Sequence, residues 1–202
     1  VPKRVDHDER RSAIADGLLR LAARDGVHAV TMRAVADEAD VSLRLVQYYF
    51  GTKAELLFFA MQKLAQQLGV RLQRNLGTEG LGPRRRIEAL FSAALPVDEE
   101  SRTFHLVYTA YAALAMTDPE LAAQPFIVGP TELEQQVADW LAEAQRSGEL
   151  PAALDAKAEA AILMALSAGL GTSLLLEQRS VADARHALQY HFDRLFTTPA
   201  AS

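Results

Sequence analysis

The sequence contains no cysteine. Disulfides, thiolate metal sites and cysteine nucleophiles are therefore excluded together. A chain without disulfides fits a reducing compartment, and a cytoplasmic protein is expected. Strand-like alternation, Asn-Gly hairpin signals and repeats of solenoid period are also missing, so neither a sheet nor a repeat array is expected. The first residues (Lys3, Arg4, Asp6, Asp8, Glu9, Arg10, Arg11) are charged and do not read as a signal peptide. Long uncharged runs are scarce. The longest, Ala160 to Leu176, has 17 residues, the lower limit for a membrane span. It contains Ser167, Gly169, Gly171, Thr172 and Ser173 and lies between Glu159 and Glu177. A helix buried in a protein interface is the expectation, not a membrane anchor.

Catalytic signatures are missing too. The sequence has no His-Glu-x-x-His, Gly-x-Ser-x-Gly or Walker loop. Asp25-x-x-His28 and Asp183-x-x-His186 have a ligand-like spacing, but the paired glutamates of a di-iron bundle are absent. Both pairs read as surface or capping groups. No enzyme activity, cofactor or metal is expected.

What is present is helix. Half of the 202 residues are hydrophobic and 23% are charged, enough for one or two cored domains. Nine helices are expected, at about Asp8–Arg24, Met32–Ala39, Ser42–Phe50, Lys53–Asn75, Arg84–Leu95, Asp98–Met116, Thr131–Arg146, Asp155–Leu176 and Val181–Phe196. Ile14, Leu18, Leu21 and Ala22 define one face of the first. Gly26 ends it. Thr31 and Ser42 are placed as N-caps, and Thr52 with Glu55 as a capping box. Three glycines and a proline between Leu76 and Pro83 mark the first clear break in composition. The fold class is all-α.

The net charge of −5 looks unsuited to nucleic acid. Its distribution is not: residues 1–55 carry nine Lys/Arg against nine Asp/Glu, and residues 56–202 carry twelve against seventeen, which supplies the whole deficit. The N-terminal part is therefore free to present a locally basic face.

Residues 31–53 carry the sharpest signal, two short helices joined by a tight turn. Small Ala36 lets the helices cross closely. Asp40 sits where the chain must bend, and Asp tolerates left-handed backbone better than most residues. Val46 would pack back on Ala36, and Val35, Ala39, Val41 and Phe50 would complete a small core. At about 100° per residue, centring Val46 inward puts Phe50, Ser42, Leu43 and Tyr49 on or near the buried face. Arg44 and Tyr48 then point outward, flanked by Leu45 and Gln47. Such a face suits the major groove: Arg reaches guanine, Gln reaches adenine, and an apolar group meets the thymine methyl. Thr31, Ser42, Tyr49 and Lys53 offer hydroxyl or ammonium groups at helix starts and edges, where phosphates are held. Arg33, on the first short helix, joins these candidates. The alternatives are an all-helical enzyme or small-molecule binder, or a structural adaptor, without DNA readout.

Residues from about Glu9 to Leu57 resemble the DNA-binding domain of the TetR (tetracycline-repressor-like) family. The resemblance rests on the first helix, the Thr-x-x-x-Val-Ala-x-x-Ala run of Thr31, Val35, Ala36 and Ala39, the pairs Val41-Ser42 and Tyr49-Phe50, and Lys53 followed by Leu56. It implies a homodimeric regulator, usually a repressor, that binds a palindromic operator on double-stranded DNA. It implies phosphate contacts by Thr31, Ser42, Tyr49 and Lys53, and base contacts by Arg44, Leu45, Gln47 and Tyr48. It also implies a C-terminal small-molecule site and a four-helix dimer interface. The domain boundary is expected near residue 53: a helix-turn-helix domain at 1–53, and a ligand-binding and dimerisation domain at 54–202, with the fourth helix connecting them. The sequence departs from the family at Asp40 and Arg44, where Gly is usual, and at Gln47, where Tyr is common. The operator cannot be borrowed from relatives.

In the C-terminal part, Leu163, Leu166, Leu170 and Leu174 with Leu188 and Phe192 are the expected dimer interface, because a helix apolar nearly all round must be buried all round. Phe91, Phe104, Tyr108, Tyr111, Trp140 and Met164 are the candidate site for an unidentified effector, with Phe126 able to converge on them.

Overall fold

Local side-chain chemistry sets the helix boundaries seen in the computed structural model, which describes residues 2–76, 81–122 and 130–196. Among these residues there are nine α-helices of seven or more residues, one further helical turn at Pro119–Ala122, a 3-10 turn at Val27–Ala29, and no strand. The nine are α1 (Pro2–Asp25), α2 (Met32–Glu38), α3 (Leu43–Tyr49), α4 (Lys53–Leu76), α5 (Pro83–Ala94), α6 (Glu99–Ala115), α7 (Pro130–Arg146), α8 (Ala156–Leu175) and α9 (Val181–Leu195). The expected Phe126 lies outside the described residues.

Gly26 ends α1 at φ 82°, a left-handed conformation that costs glycine little. Thr31 and Ser42 cap α2 and α3: each hydroxyl oxygen accepts from a backbone amide three residues on, Ala34 N at 3.0 Å and Leu45 N at 3.1 Å. Asp183 also belongs to a cap, since Ser180 and Asp183 form the capping box of α9. One boundary differs clearly from expectation. Helix α1 begins at Pro2, not near Asp8. Proline suits a first helical turn, and the polar residues that follow carry no apolar periodicity to announce a helix.

The chain forms two compact units, residues 1–67 with 98–127 and residues 68–97 with 128–202. In the first, Ile14, Leu18, Val35, Ala36, Val46, Phe50, Leu56, Leu57 and Met61 share a core with Val107 and Tyr111 of α6. In the second, α5, α7, α8 and α9 enclose Ile87, Phe91, Leu141, Leu163, Leu170, Leu174, Leu188 and Phe192. This division follows packing and does not fall at residue 53. Helix α6 joins the first core through long-range contacts, which local periodicity cannot announce.

The turn between α2 and α3 contains a non-glycine residue with left-handed backbone, Asp40 at φ 53°. Such a conformation costs an L-residue about 1–2 kcal/mol, and less for Asp. Asp40→Gly should therefore stabilise the protein by up to about 1 kcal/mol. That corresponds to a rise of roughly 2–4 °C in melting temperature for a chain of this size. A lower melting temperature in calorimetry would mean that the Asp40 side chain supplies more than its backbone conformation costs.

Candidate nucleic-acid interface

Helices α2 and α3 are seven residues each, too short to persist alone. Tertiary contacts hold them. Val35, Ala36, Val46 and Phe50 are each at most 1% exposed. Between the helices, Ala36 O accepts a hydrogen bond from Val41 N at 2.9 Å, which closes the turn. On the other side of α2, a Cβ added at Gly17 would stand 3.0 Å from Ala39 Cβ and 3.3 Å from Ala39 N. Gly17 of α1 is thus the residue that lets the end of α2 approach so closely. It was not anticipated, because glycine inside an apolar helix pattern gives no signal of what it faces.

With Val46 buried, the remaining faces of α3 follow. Arg44, Gln47 and Tyr48 are exposed, and Leu45 and Tyr49 are half-buried. The outward set derived from helical rotation matches this arrangement. Ser42, placed near the inner face by the same rotation, is exposed, because as N-cap it lies just outside the helix. Thr31 and Arg33 are exposed and Lys53 half-buried. Capping uses an acceptor of Thr31 and Ser42, so each O–H remains free to donate. The box at the start of α4 is only half of the expected one. Thr52 Oγ1 accepts from Glu55 N at 3.1 Å, but the Glu55 carboxylate accepts from Gly51 N at 2.9 Å.

The charges are segregated. On α1, Arg20 and Arg24 both reach Glu38 of α2, at 3.1 and 2.9 Å. Arg20 also donates to the Glu38 carbonyl, and Lys63 of α4 holds Asp16 at 2.6 Å. Arg33, Arg44 and Lys53 have no carboxylate partner. The cations of the outward face are thus uncompensated, while those on the flank are neutralised. Three cations without a carboxylate partner thus lie on or beside the outward face of an acidic chain. At the end of α3, the His7 ring meets Tyr49 edge-on at 4.7 Å, and Tyr49 meets Tyr48 edge-on at 5.2 Å.

The other candidate residues fall into the two units separately. In the first, Phe104 stacks on Tyr108 at 6.1 Å. Tyr111 is fully buried and tilts against Phe58 at 6.3 Å. Desolvation pushes both phenols up, with Asp118 adding to the effect at Tyr111. In the second unit, Phe91 is buried against Phe192, and Met164 packs on the same core. Trp140 is half-buried with the Arg86 guanidinium 5.4 Å from its ring centroid, and Arg86 pairs with Glu143. A groove of about 380 Å³ in this unit is lined by Ser92, Arg185, His186, Leu188, Gln189 and Phe192, none of them among the six effector candidates.

The expected dimer residues need correction. Leu163, Leu170, Leu174, Leu188 and Phe192 are at most 5% exposed within the single chain, and Leu166 is partly buried against the same core. They pack α8 and α9 inward. A helix apolar on two sides does not reveal in its sequence which side its own chain covers. The uncovered side of α8 is Ala161, Ile162, Ala165, Ala168, Gly169 and Thr172. Ile162 is 48% exposed and Leu176, just beyond the helix, 61%. Helix α8 is also, among the described residues, the one helix long and apolar enough to cross a membrane.

Comparison with known proteins agrees with this architecture. Residues 14–58 match the model of bacterial regulatory proteins of the tetR family, and residues 83–197 match that of the BetI-type transcriptional repressor C-terminal domain. The chain belongs to the tetR family of bacterial transcriptional regulators. Among curated relatives, the HTH-type transcriptional regulator PksA of Bacillus subtilis is 30% identical over 57% of this chain and 56% of its own length. The chain thus spans just over half of that relative. A transcriptional regulator from Saccharomonospora viridis, solved in complex with choline, is 26% identical, with a TM-score of 0.82 over 92% of this chain and 96% of that one. A TetR-family regulator from Rhodococcus sp. is 25% identical, with a TM-score of 0.77 over 94% and 100%.

The pairing of Glu38 has a measurable signature. Hydrogen bonds from Arg24 and then Arg20 hold its carboxyl below the ordinary value of 4.5. A depressed carboxylate stabilises the fold above its unfolded pKa and loses that contribution as pH falls through its folded pKa. Glu38→Gln should thus melt below the wild type at neutral pH, and the gap should close on acidification below about 4.5. A gap that stays constant from pH 7 to pH 3 would show that the carboxylate charge is not what matters.

Proposed function

We propose that this protein is a ligand-responsive transcriptional repressor that binds a palindromic DNA operator as a homodimer in the cytoplasm and has no enzymatic activity. The observation that carries the reading is the outward face of α3. Arg44, Gln47 and Tyr48 are exposed there, and Arg33, Arg44 and Lys53 lack internal partners. A solvated structural helix has no need to leave its cations uncompensated while neighbouring ones are paired. In this reading residues 1–53 read DNA and residues 54–202 sense and dimerise. Arg44, Leu45, Gln47 and Tyr48 meet bases, and Thr31, Arg33, Ser42, Tyr49 and Lys53 hold the backbone.

The effector candidates are Phe104, Tyr108 and Tyr111 in the first unit and Phe91, Trp140 and Met164 in the second. Support is unequal. Phe104 and Tyr108 present a stacked, partly open pair, whereas Phe91 and Tyr111 are already packed and Arg86 lies over Trp140. The choline bound by the Saccharomonospora viridis neighbour supports a small-molecule site in this domain type. The dimer interface is assigned to the uncovered stripe of α8, centred on Ile162, Ala165 and Gly169. An added Cβ at Gly169 would meet nothing within 4 Å. The hydroxyls of Thr172 and Ser173 donate back to Ala168 O and Gly169 O, so little polar demand remains on that side.

The test is a titration of duplexes from the upstream region of the protein's own gene, repeated across salt concentrations and with a panel of small molecules. A palindromic site should bind with log affinity falling steeply against log salt, and one class of compound should release it. Arg44→Ala should relax preference at one base pair by about 1–3 kcal/mol, whereas Lys53→Ala should weaken all sequences alike and reduce the salt slope by about one. Equal affinity for random and palindromic duplex at every salt concentration would refute specific reading.

The interface assignment separates two neighbouring residues. Ile162→Glu should give monomers in sedimentation at micromolar concentration and weaken operator binding. Leu163→Ala should leave the dimer intact and cost about 2–5 kcal/mol of stability through a core cavity. A dimeric Ile162→Glu protein would move the interface elsewhere.

A further inference from the structure

Arg11 is a cation of the first unit that neither the ion pairs described above nor the outward face accounts for. Its guanidinium carbon lies 5.0 Å from the centroid of Phe50 and 4.5 Å from that of Phe59, and these rings are tilted at 5.4 Å from each other. Its Nε is buried and donates to no acceptor. An unpaired buried donor is normally selected against, so two ring faces stand in for the missing acceptor. The three residues belong to three elements: Arg11 to α1, Phe50 to the C-cap of α3, and Phe59 to α4. One turn earlier on the same side of α1, His7 meets Tyr49.

We propose that Arg11 is a positioning residue for DNA reading, a charged brace that fixes the C-terminal end of the recognition helix α3 against α1 and α4. Two effects combine. The positive charge sits at the negative end of a seven-residue helix, and the planar group fills the space between the rings that set the pitch of its last turn. With α3 only two turns long, a shift at its end redirects Gln47 and Tyr48 as a unit. The proposal rests on α3 being the reader, as argued above.

Arg11→Met tests it, because Met keeps the length and polarizability of the stem and removes both the charge and the orphaned donor. Its melting temperature should stay near wild type, since an apolar replacement of a half-buried cation without a carboxylate partner is often neutral. Hydrogen exchange at the α3 end, reported by the Phe50 amide bonded to Val46 O, should quicken selectively over that in α2. Operator affinity should fall by roughly tenfold, the scale of a desolvated cation–π clamp, with the salt slope unchanged. Arg11→Lys should recover most of both. Should Arg11→Met not fold, Phe59→Leu removes one ring and should produce the same selective exchange and affinity loss. Unchanged exchange at the α3 end refutes the brace, whether or not any operator is bound. Unchanged affinity refutes its role in reading, and a salt slope lowered by about one makes Arg11 a phosphate contact instead.

Discussion

Everything the first unit can do depends on burying one valine. Helix α3 has seven residues and could not hold a shape in water. Val46, with no exposed surface, ties it to the core, and that single inward residue decides which side chains face out. Ala36 and Gly17 serve the same end by being small, since they let α3, α2 and α1 stack closely enough for Val46 to be covered. The caps at Thr31 and Ser42 then satisfy amides that packing cannot reach. Position, closeness and polar satisfaction agree at this site, which is the consistency expected of a sequence that specifies one structure.

The charge pattern adds a second layer. Ion pairs on an exposed flank contribute little stability, and the Arg20, Arg24 and Glu38 group is no exception. Its greater effect is on the field. By pairing Arg20 and Arg24 it leaves Arg33, Arg44 and Lys53, all at or beside the outward helix, among the unpaired cations of this unit. A net charge of −5 therefore coexists with unpaired cations on that face.

Much of this was legible from sequence, for physical reasons. The 3.6-residue period, small Ala36, the tolerant Asp40 and the hydroxyl caps are local signals, and the turn and the outward set of α3 follow from them. What was not legible is non-local. Gly17 becomes meaningful only when Ala39 is placed 3.0 Å from its absent Cβ. Arg11 requires two rings distant in sequence. Val107 and Tyr111 reach the first core from α6, which no helical period predicts. The leucines of α8 show the opposite difficulty. Their apolar character is plain in the sequence, but a helix greasy on two sides leaves open which side its own chain covers, and these leucines are turned inward while Ile162 is not.

Apart from Ile162, the uncovered side of α8 carries alanines, a glycine and a threonine whose hydroxyl is already bonded to its own helix. Long polar side chains surrender up to about 2 kcal/mol of rotamer freedom each when immobilised, whereas Ala and Gly surrender essentially none. This stripe is thus a surface that is ordered before anything touches it. Whatever covers it pays for rigid-body freedom and almost nothing for side-chain disorder, so close fit between backbones, and not the size of side chains, sets the strength of the contact.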